Sequence, residues 1–261
     1  RYGYAPVPTL SSQDIDRYNA AGDSPMGRIV RNLNQFSPAA RLSRIARTEP
    51  ERYDLSYLDP LDFYYEALAF RSNDGSTELQ VNIGIPIDNV AMPSDPDTAV
   101  VVERRVVLYS SRSPDLQRDN RKLAIPIADA NRGHGLLAVD RVDLRADPGD
   151  YELAVEAGRT NTDKLQVYRQ TVTLPDYHSG RVMLSDIQIA RNVTEAPESG
   201  QTRFARGNWD ILPAPSRSFP EGDPLFVYFE IYNLNRDTFG NTRYEVAYEV
   251  RSRALTSKGG R

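Results

Sequence analysis

Apolar residues follow a helical spacing in the first part of this chain. Behind Ser24 and the proline after it, a pair typical of a helix start, Ile29, Leu33 and Phe36 recur every three or four positions. The first ten residues contain two prolines and neither a helical nor a strand period. Residues 1–56 are therefore predicted to form an extended arm with short helices.

After this arm the apolar residues follow a period of two, which is typical of half-buried strands. Residues 81–87 alternate isoleucine and valine with polar or small residues, and Pro86 predicts that this strand ends at a sheet edge. The valine-rich residues 99–109 predict a long strand with a bulge at 103–105. Two further strands are predicted at 151–157 and 165–174. This spacing of strands favours an antiparallel sandwich.

A second set of strands follows a boundary at residues 175–180, where Pro, Asp, His, Ser and Gly cluster. Its predicted strands are 182–190, 225–234 and 243–251. Residues 192–222 between the first two are polar and rich in Pro and Gly, and predict a connection. These strands are few for a closed sandwich. The second domain is therefore either unfinished in this chain or completed by a partner's strand.

The sequence thus predicts a mainly β protein with two tandem antiparallel β-sandwich (Ig-like) domains, preceded by a short helical N-terminal arm. The predicted divisions are an arm over 1–56, a first sandwich over 57–176 and a second, incomplete sandwich over 181–261. This division is typical of a chain of 261 residues, which is long enough for two ordinary domains.

Composition removes several classes of function. The chain has no cysteine, which excludes disulfides, thiolate metal sites and cysteine nucleophiles. Its net charge of −4 argues against nucleic-acid binding, and no apolar run approaches the length of a transmembrane helix. The basic residues are 29 arginines and only 3 lysines. This excess of arginine has two open explanations, a surface rich in interfaces or a GC-rich genome.

The titratable residues predict no catalytic, cofactor or metal site. His134 and His178 lie in turn-like contexts, and neighbours in one loop do not form a catalytic triad. Some carboxylate pairs could contribute oxygen ligands to Ca²⁺, but none follows the EF-hand pattern. These pairs are Asp59 with Asp62, Asp95 with Asp97, and Asp140 with Asp143. Carboxylates alternate along the predicted strands or lie in turns, and an Asp before a proline, as at Asp59 and Asp95, is ordinary turn chemistry.

Aromatic and arginine side chains are the candidate partner-binding residues. A tyrosine buries its ring while keeping a polar tip, which suits interfaces, although half-buried strand positions explain many of the 15 tyrosines equally well. In the arm, aromatic and basic residues lie outside any core pattern, so we expect them to dock onto another subunit. The candidates are Tyr2, Tyr4, Arg28, Arg31, Arg41, Arg44 and, later in the chain, Trp209.

Several short motifs resemble the β-rich region of bacterial GWxTD-domain proteins, over roughly residues 57–251. They are DFYYEALAFRS at 62–72, TELQV at 77–81, PGDYEL at 148–153, LSDIQIA at 184–190 and PLFVYFEIYNL at 224–234. The naming Gly-Trp-x-Thr-Asp motif is absent, since the single tryptophan is Trp209. The resemblance implies export to the periplasm, cell surface or medium, and it brings no catalytic residues.

Three hypotheses of function follow. The leading one is a non-enzymatic structural or interaction subunit of an exported or cell-surface bacterial assembly, whose partners are other protein subunits. The alternative is a module that binds carbohydrate or another ligand through Trp209 and exposed tyrosines. An enzyme with an unfamiliar site is the weakest of the three, because no known catalytic motif is present.

Overall fold

The computed structural model describes residues 4–6, 59–92, 95, 99–110, 113–128, 135–197 and 202–249. Within them the protein is mainly β, as predicted, with one short helix, α1 (Ile87–Val90). The predicted helices of the arm lie outside the described residues.

Fifteen strands are present in the described residues. Those of the first part of the chain are β1 (Tyr4–Pro6), β2 (Asp59–Pro60), β3 (Tyr64–Arg71), β4 (Thr77–Pro86), β5 (Ala99–Ser110), β6 (Ser113–Pro126), β7 (Leu137–Ala146), β8 (Gly149–Arg159) and β9 (Lys164–Leu174). Those after residue 180 are β10 (Met183–Leu184), β11 (Gln188–Glu195), β12 (Ala205–Arg206), β13 (Trp209–Pro213), β14 (Phe226–Tyr228) and β15 (Ile231–Tyr232).

Two sheets carry the main core. Sheet 1 has the order β1-β7-β4-β3, and sheet 2 has the order β2-β9-β8-β5-β6. Their facing sides form one apolar cluster, to which β4 contributes Val81 and Ile83 while β5 and β8 contribute Val102 and Val155. All four side chains are fully buried, because alternate residues of a strand point to the same side. The strands predicted at 99–109, 151–157 and 165–174 are confirmed.

Two details of the predicted strands are wrong. β4 is an interior strand between β3 and β7, and both of its faces are buried. Pro86 lies at its end, so it marks the end of the strand and not a sheet edge. The pairing of β5 with β6 runs unbroken through residues 103–105, and its register shift lies between Leu108 and Ser110. Arg104 therefore points inward as a regular strand residue.

A third layer covers the other face of sheet 1. Sheet 3 has the order β12-β13-β11-β14, and β10 pairs with β15 in a small fourth sheet. We call residues 183–232, which carry these strands, the outer layer. The stretch 192–222, predicted as a polar connection, contains β12 and β13 and buries Phe204 against Leu137 and Val139 of sheet 1.

The strand predicted at 243–251 is not formed over its described residues. Residues 241–249 have no regular structure, and all of them are exposed. The strands predicted at 182–190 and 225–234 do form, but each is interrupted: β10 and β11 occupy the first, and β14 and β15 occupy the second. The predicted domain boundary falls in the turn after β9, and the division into domains remains a prediction.

Candidate interaction surface

The outer layer is organised around one long antiparallel ribbon. β11 pairs with β14 (Ala190 opposite Phe226), and β10 pairs with β15 (Met183 opposite Tyr232). Between these pairings the Ser185 N–H donates to the Glu230 carbonyl at 2.9 Å, and the Glu230 N–H donates to Ser185 Oγ at 2.8 Å. We call β10–β11 together with β14–β15 the ribbon.

Arg206 anchors the ribbon to sheet 1. Its Nη1 donates to Glu78 Oε1 of β4 at 2.6 Å, and its Nε donates to Glu230 Oε1 of the ribbon at 2.5 Å. The guanidinium also lies 3.8 Å above the ring of Phe70. Burial opposes the charge of Arg206, but the carboxylates of Glu230 and Glu78 outweigh it and raise its pKa. One arginine thus joins two layers through charge-assisted hydrogen bonds.

Glu230 also binds two tyrosines of the ribbon. Tyr228 and Tyr232 donate their hydroxyl hydrogens to its two carboxylate oxygens, at 2.8 and 2.7 Å. Burial raises the pKa of both phenols, and the neighbouring negative charge of Glu230 adds to the effect. Both tyrosines therefore remain neutral donors at physiological pH, and the inward side of the ribbon is fixed in place.

The free edge of β3 is capped by groups from the same region. The Ala69 N–H donates to Asp186 Oδ2 at 2.7 Å, and the Ala69 carbonyl accepts from the Asp186 N–H at 3.1 Å. Tyr177 donates its hydroxyl to the same carbonyl at 3.0 Å, and the Arg71 N–H donates to the Tyr232 hydroxyl at 3.0 Å. This edge of sheet 1 is therefore closed to further strands at these positions.

The outward side of the ribbon is apolar and exposed. Five large aliphatic side chains in its strands, or one residue from them, are each between 52% and 59% exposed. They are Val182, Leu184, Ile187, Leu225 and Val227, and we call them the apolar patch. Scattered exposed aliphatic residues are ordinary, but several on one ribbon are typical of an interaction site.

The chain leaves the ribbon through a hairpin turn at residues 237–241. The Gly240 N–H donates to the Asp237 carbonyl at 3.0 Å, and the Asp237 N–H donates to the Asn241 carbonyl at 2.9 Å. Gly240 has a φ of 83°, a left-handed conformation that glycine adopts without strain. This is a type I turn with a following left-handed residue, which in proteins joins two paired strands.

No strand follows this turn in the described residues. The returning segment, residues 242–248, is exposed along its whole length, with Tyr244 at 58%, Val246 at 47% and Tyr248 at 89%. The edge beside which it would lie is also open, because sheet 3 ends at β14 and β15 pairs only with β10 within the described part of the chain. The surface therefore combines an open edge, the apolar patch and an exposed segment with strand-like alternation.

Four of the six carboxylates considered for calcium bind basic side chains. Asp140 is fully buried and accepts from Arg104 Nε at 2.9 Å, and it also pairs with Arg203. Asp143 pairs with Arg141 at 2.7 Å on the opposite face of β7. Asp59 pairs with Lys164 at 2.9 Å, and Asp95 pairs with Arg159; Asp62 is exposed and Asp97 lies outside the described residues. These four carboxylates, Asp59, Asp95, Asp140 and Asp143, therefore belong to structural ion pairs.

The pKa values of two arginines near the buried Asp140 are lowered. Burial, followed by the nearby charges of Arg121 and Arg104, lowers the pKa of Arg203 to about 10. Burial likewise lowers the pKa of Arg104, against the attraction of Asp119. A guanidinium group stays charged at neutral pH, so Asp140, together with Asp119 beside Arg104, supplies the negative charge that burial of the two arginines requires.

The structure tests few of the sequence-predicted site residues. Tyr4 belongs to β1, which adds to β7 of the same chain as a parallel edge strand. Trp209 lies on β13 opposite Glu195 and is 44% exposed. His178 is exposed in a turn, and its backbone N–H donates to Asp176 Oδ1 at 2.9 Å. The remaining residues, Tyr2, Arg28, Arg31, Arg41, Arg44 and His134, lie outside the described part of the chain.

A polar cavity of about 410 Å³ opens at one end of sheets 1 and 2. Asp74, Arg145 and Asp150 are among the residues that line it, whereas Trp209 is not. Hydrogen bonds from Ser76 lower the pKa of Asp74 to about 2, and Arg145 Nη1 lies 3.7 Å from Asp74 Oδ2. None of the described residues that line the cavity belongs to the ribbon or to its apolar patch.

Comparison with known proteins gives no relative: no family model, no curated protein and no solved structure matches the chain. The resemblance to GWxTD-domain proteins stays a prediction. Among the described residues, no helix has the length and apolar character needed to cross a membrane.

Sequence reasoning missed the apolar patch and the hairpin turn. The signal for the turn was present, because Asp237 and Gly240 are three residues apart between two alternating stretches. Val227 and Leu225 carried no such signal. They lie in a run that is apolar on both faces, and this pattern predicts a buried central strand.

Proposed function

We propose that this protein is a non-enzymatic structural or interaction subunit of an exported or cell-surface bacterial assembly. The observation that supports the proposal is the apolar patch beside an open strand edge. Val227, at the centre of β14, is 52% exposed, while its neighbours Phe226 and Tyr228 turn inward. A partner that covers this surface would remove apolar area from water and complete the sheet.

The proposal includes export and an Ig-like sandwich for sheets 1 and 2, and the GWxTD-like motifs support both. It also holds that the protein works without catalysis. In support, the buried carboxylate of Asp140 and the half-buried carboxylate of Glu230 are held by arginines and tyrosines of the chain itself. Binding of carbohydrate through Trp209 remains the alternative prediction.

The test is the size of the complex that contains the full chain in the cells that produce it. A tagged chain should migrate in a native gel of the cell-envelope extract far above its own 29.4 kDa. Val227→Asp places a charge in the apolar patch and should release the chain from the complex. The matched control is Gln170→Asp, which adds the same charge at an exposed position of β9 and should leave the complex intact.

If the wild-type chain migrates at its own mass in every fraction, the proposal is overturned. The same holds if Val227→Asp and Gln170→Asp both leave a large complex unchanged, because the apolar patch then contributes nothing to assembly.

A further inference from the structure

We infer that the open edge of β14–β15 is completed by the returning segment of a second copy of this chain. The inference rests on the proposed function and names one partner for the same surface. It is argued from the turn at 237–241, from the side-chain pattern of residues 242–248 and from the exposure of both elements.

The turn sets a register for the pairing. Asp237 and Asn241 are joined by a backbone hydrogen bond, so an antiparallel return places Tyr244 opposite Leu234 and Val246 opposite Tyr232. Continuing in the same way, Tyr248 lies opposite Glu230. The edge residues Tyr232 and Glu230 point toward sheet 1, as their hydrogen bonds with Arg71 and Arg206 show.

In this register the side-chain pattern of the returning segment fits the edge. Residues directly opposite each other point to the same face of a sheet. Tyr244, Val246 and Tyr248 thus turn inward, beside the buried Tyr232, while Glu245 and Ala247 turn to solvent. The outward pairs are Glu245 with Asn233 and Ala247 with Ile231, so no like charges oppose each other.

In a single chain, the edge of β14–β15 and residues 242–248 both remain open. Within it the turn is complete, yet residues 242–248 form no strand with β15, and Tyr248 is 89% exposed. A chain that carries a donor strand and a matching acceptor edge, without joining them, is suited to reciprocal exchange, in which the turn at 237–241 opens as a hinge and the donor strand keeps, on the second copy, the register that the turn defines. Two copies related by a two-fold axis would each supply the strand that the other lacks, and a closed dimer leaves neither edge open.

The first experiment measures the mass of the purified full chain by light scattering over a range of concentrations. We expect a dimer of twice 29.4 kDa, that is 58.8 kDa, at high concentration. Val246→Asp should raise the dissociation constant roughly tenfold or more, because it places a charge on the inward face. Ala247→Asp adds the same charge on the outward face of the same segment and should leave the dimer intact.

The second experiment separates exchange between copies from closure within one chain. Because the protein has no cysteine, single cysteines introduced by Ile231→Cys and Ala247→Cys report only on this pairing. On oxidation, a mixture of the two single variants should give a disulfide-linked dimer, while each variant alone should not. The variant carrying both substitutions should give linked dimers as well.

Three results would overturn the exchange. They are a wild-type chain that stays monomeric at all concentrations, a dimer that Val246→Asp leaves unchanged, and an intramolecular disulfide in the doubly substituted monomer. None of them overturns the proposed function, which depends on the native complex and on Val227→Asp. A monomeric purified chain within a large native complex would retain the proposed function and assign the edge to a different subunit.

Discussion

The two faces of sheet 1 are both buried, but different chemistry buries them. On the face toward sheet 2, β4 presents Val81 and Ile83 to an apolar cluster. On the face toward the outer layer, the same strand presents Gln80 and Asn82, which are equally buried. Gln80 Nε2 donates to Asn82 Oδ1 at 3.0 Å and to Gln188 Oε1 of the outer layer at 3.2 Å.

The difference separates a core to which β4 contributes mainly apolar side chains from an interface in which hydrogen-bonded amides of β4 lie beside the apolar contact of Phe204 with Leu137 and Val139. Apolar packing is non-directional and tolerates sliding, whereas a buried amide must find its partner or lose the free energy of its hydrogen bonds. The polar face therefore fixes the position of the outer layer on sheet 1, and with it the placement of the open edge.

The largest loss of stability is expected from a substitution of Asp140, on the apolar face. Asp140 is the only fully buried carboxylate among the described residues. Asp140→Asn removes the negative charge between Arg104 and Arg203 and leaves Asp119, whose side chain is partly exposed, to compensate both guanidinium groups. We expect a loss of about 3–5 kcal/mol in the free energy of unfolding. Urea denaturation followed by circular dichroism measures it.

The control is Asp143→Asn on the same strand. Asp143 pairs with Arg141 on the opposite face of β7, and its side chain is 40% exposed. Its replacement should cost less than about 1 kcal/mol, because exposed ion pairs contribute little. Equal losses for the two variants would contradict the assignment of Asp140 as the centre of a buried cluster.

The apolar face could largely be predicted from the sequence, and the polar face could not. The alternation of Val81, Ile83 and Ile85 predicts one buried face of β4, because a period of two is a local property. The burial of Gln80 and Asn82 depends on residues more than a hundred positions later, such as Gln188. Polar residues that are buried by a distant layer have the same pattern as polar residues in water.

Arg104 shows the same limit on a smaller scale. The run Glu103-Arg104-Arg105 interrupts a valine-rich strand, and a bulge is the local explanation. In the structure the strand continues, and Arg104 is buried because Asp119 of the adjacent strand β6 and Asp140 of β7 in the facing sheet approach it. For the candidate site, alternation predicts a strand at residues 243–251, which is not formed over its described residues, because a pattern does not specify which edge such a segment joins.

A smaller effect is expected on the polar face at Gly84, where the outer layer comes closest to β4. A Cβ at this position would lie 2.8 Å from Pro215 Cγ and 3.3 Å from Leu137 Cδ1. Gly84→Ala should therefore cost about 1–3 kcal/mol, because the proline ring cannot turn aside. The single tryptophan, Trp209, lies in the outer layer, so its fluorescence reports whether this layer loosens before the rest.

Gly158→Ala is the matched control. Its Cβ would also lie 2.8 Å from a side-chain carbon, but this atom is the flexible end of Leu165, which can rotate away. The control should cost less and should leave the fluorescence of Trp209 unchanged. If Gly158→Ala is the more destabilising of the two, the close approach of Pro215 does not limit the packing of the outer layer.

The smallest effect is expected from Glu66, a carboxyl buried on the polar face of β3. Burial raises its pKa, against a hydrogen bond from Asn82 Nδ2 at 2.9 Å and the charge of Arg217. A raised pKa in the folded state means that the folded protein binds this proton more tightly. The contribution of this proton to the free energy of unfolding is therefore fully present below the pKa of Glu66 in the unfolded chain, near 4.5. It is lost as pH rises through the pKa of Glu66 in the folded protein.

Glu66→Gln removes this titration while keeping the size and the hydrogen-bonding oxygen of the side chain. Denaturation of both proteins from pH 4 upward should show the variant gaining stability relative to wild type as pH rises. Glu66→Asp retains a carboxyl at the same position and should keep a pH-dependent difference from the glutamine variant. If the difference in unfolding free energy between wild type and Glu66→Gln stays constant with pH, water reaches the Glu66 carboxyl. The outer layer then covers sheet 1 less tightly than its hydrogen bonds indicate.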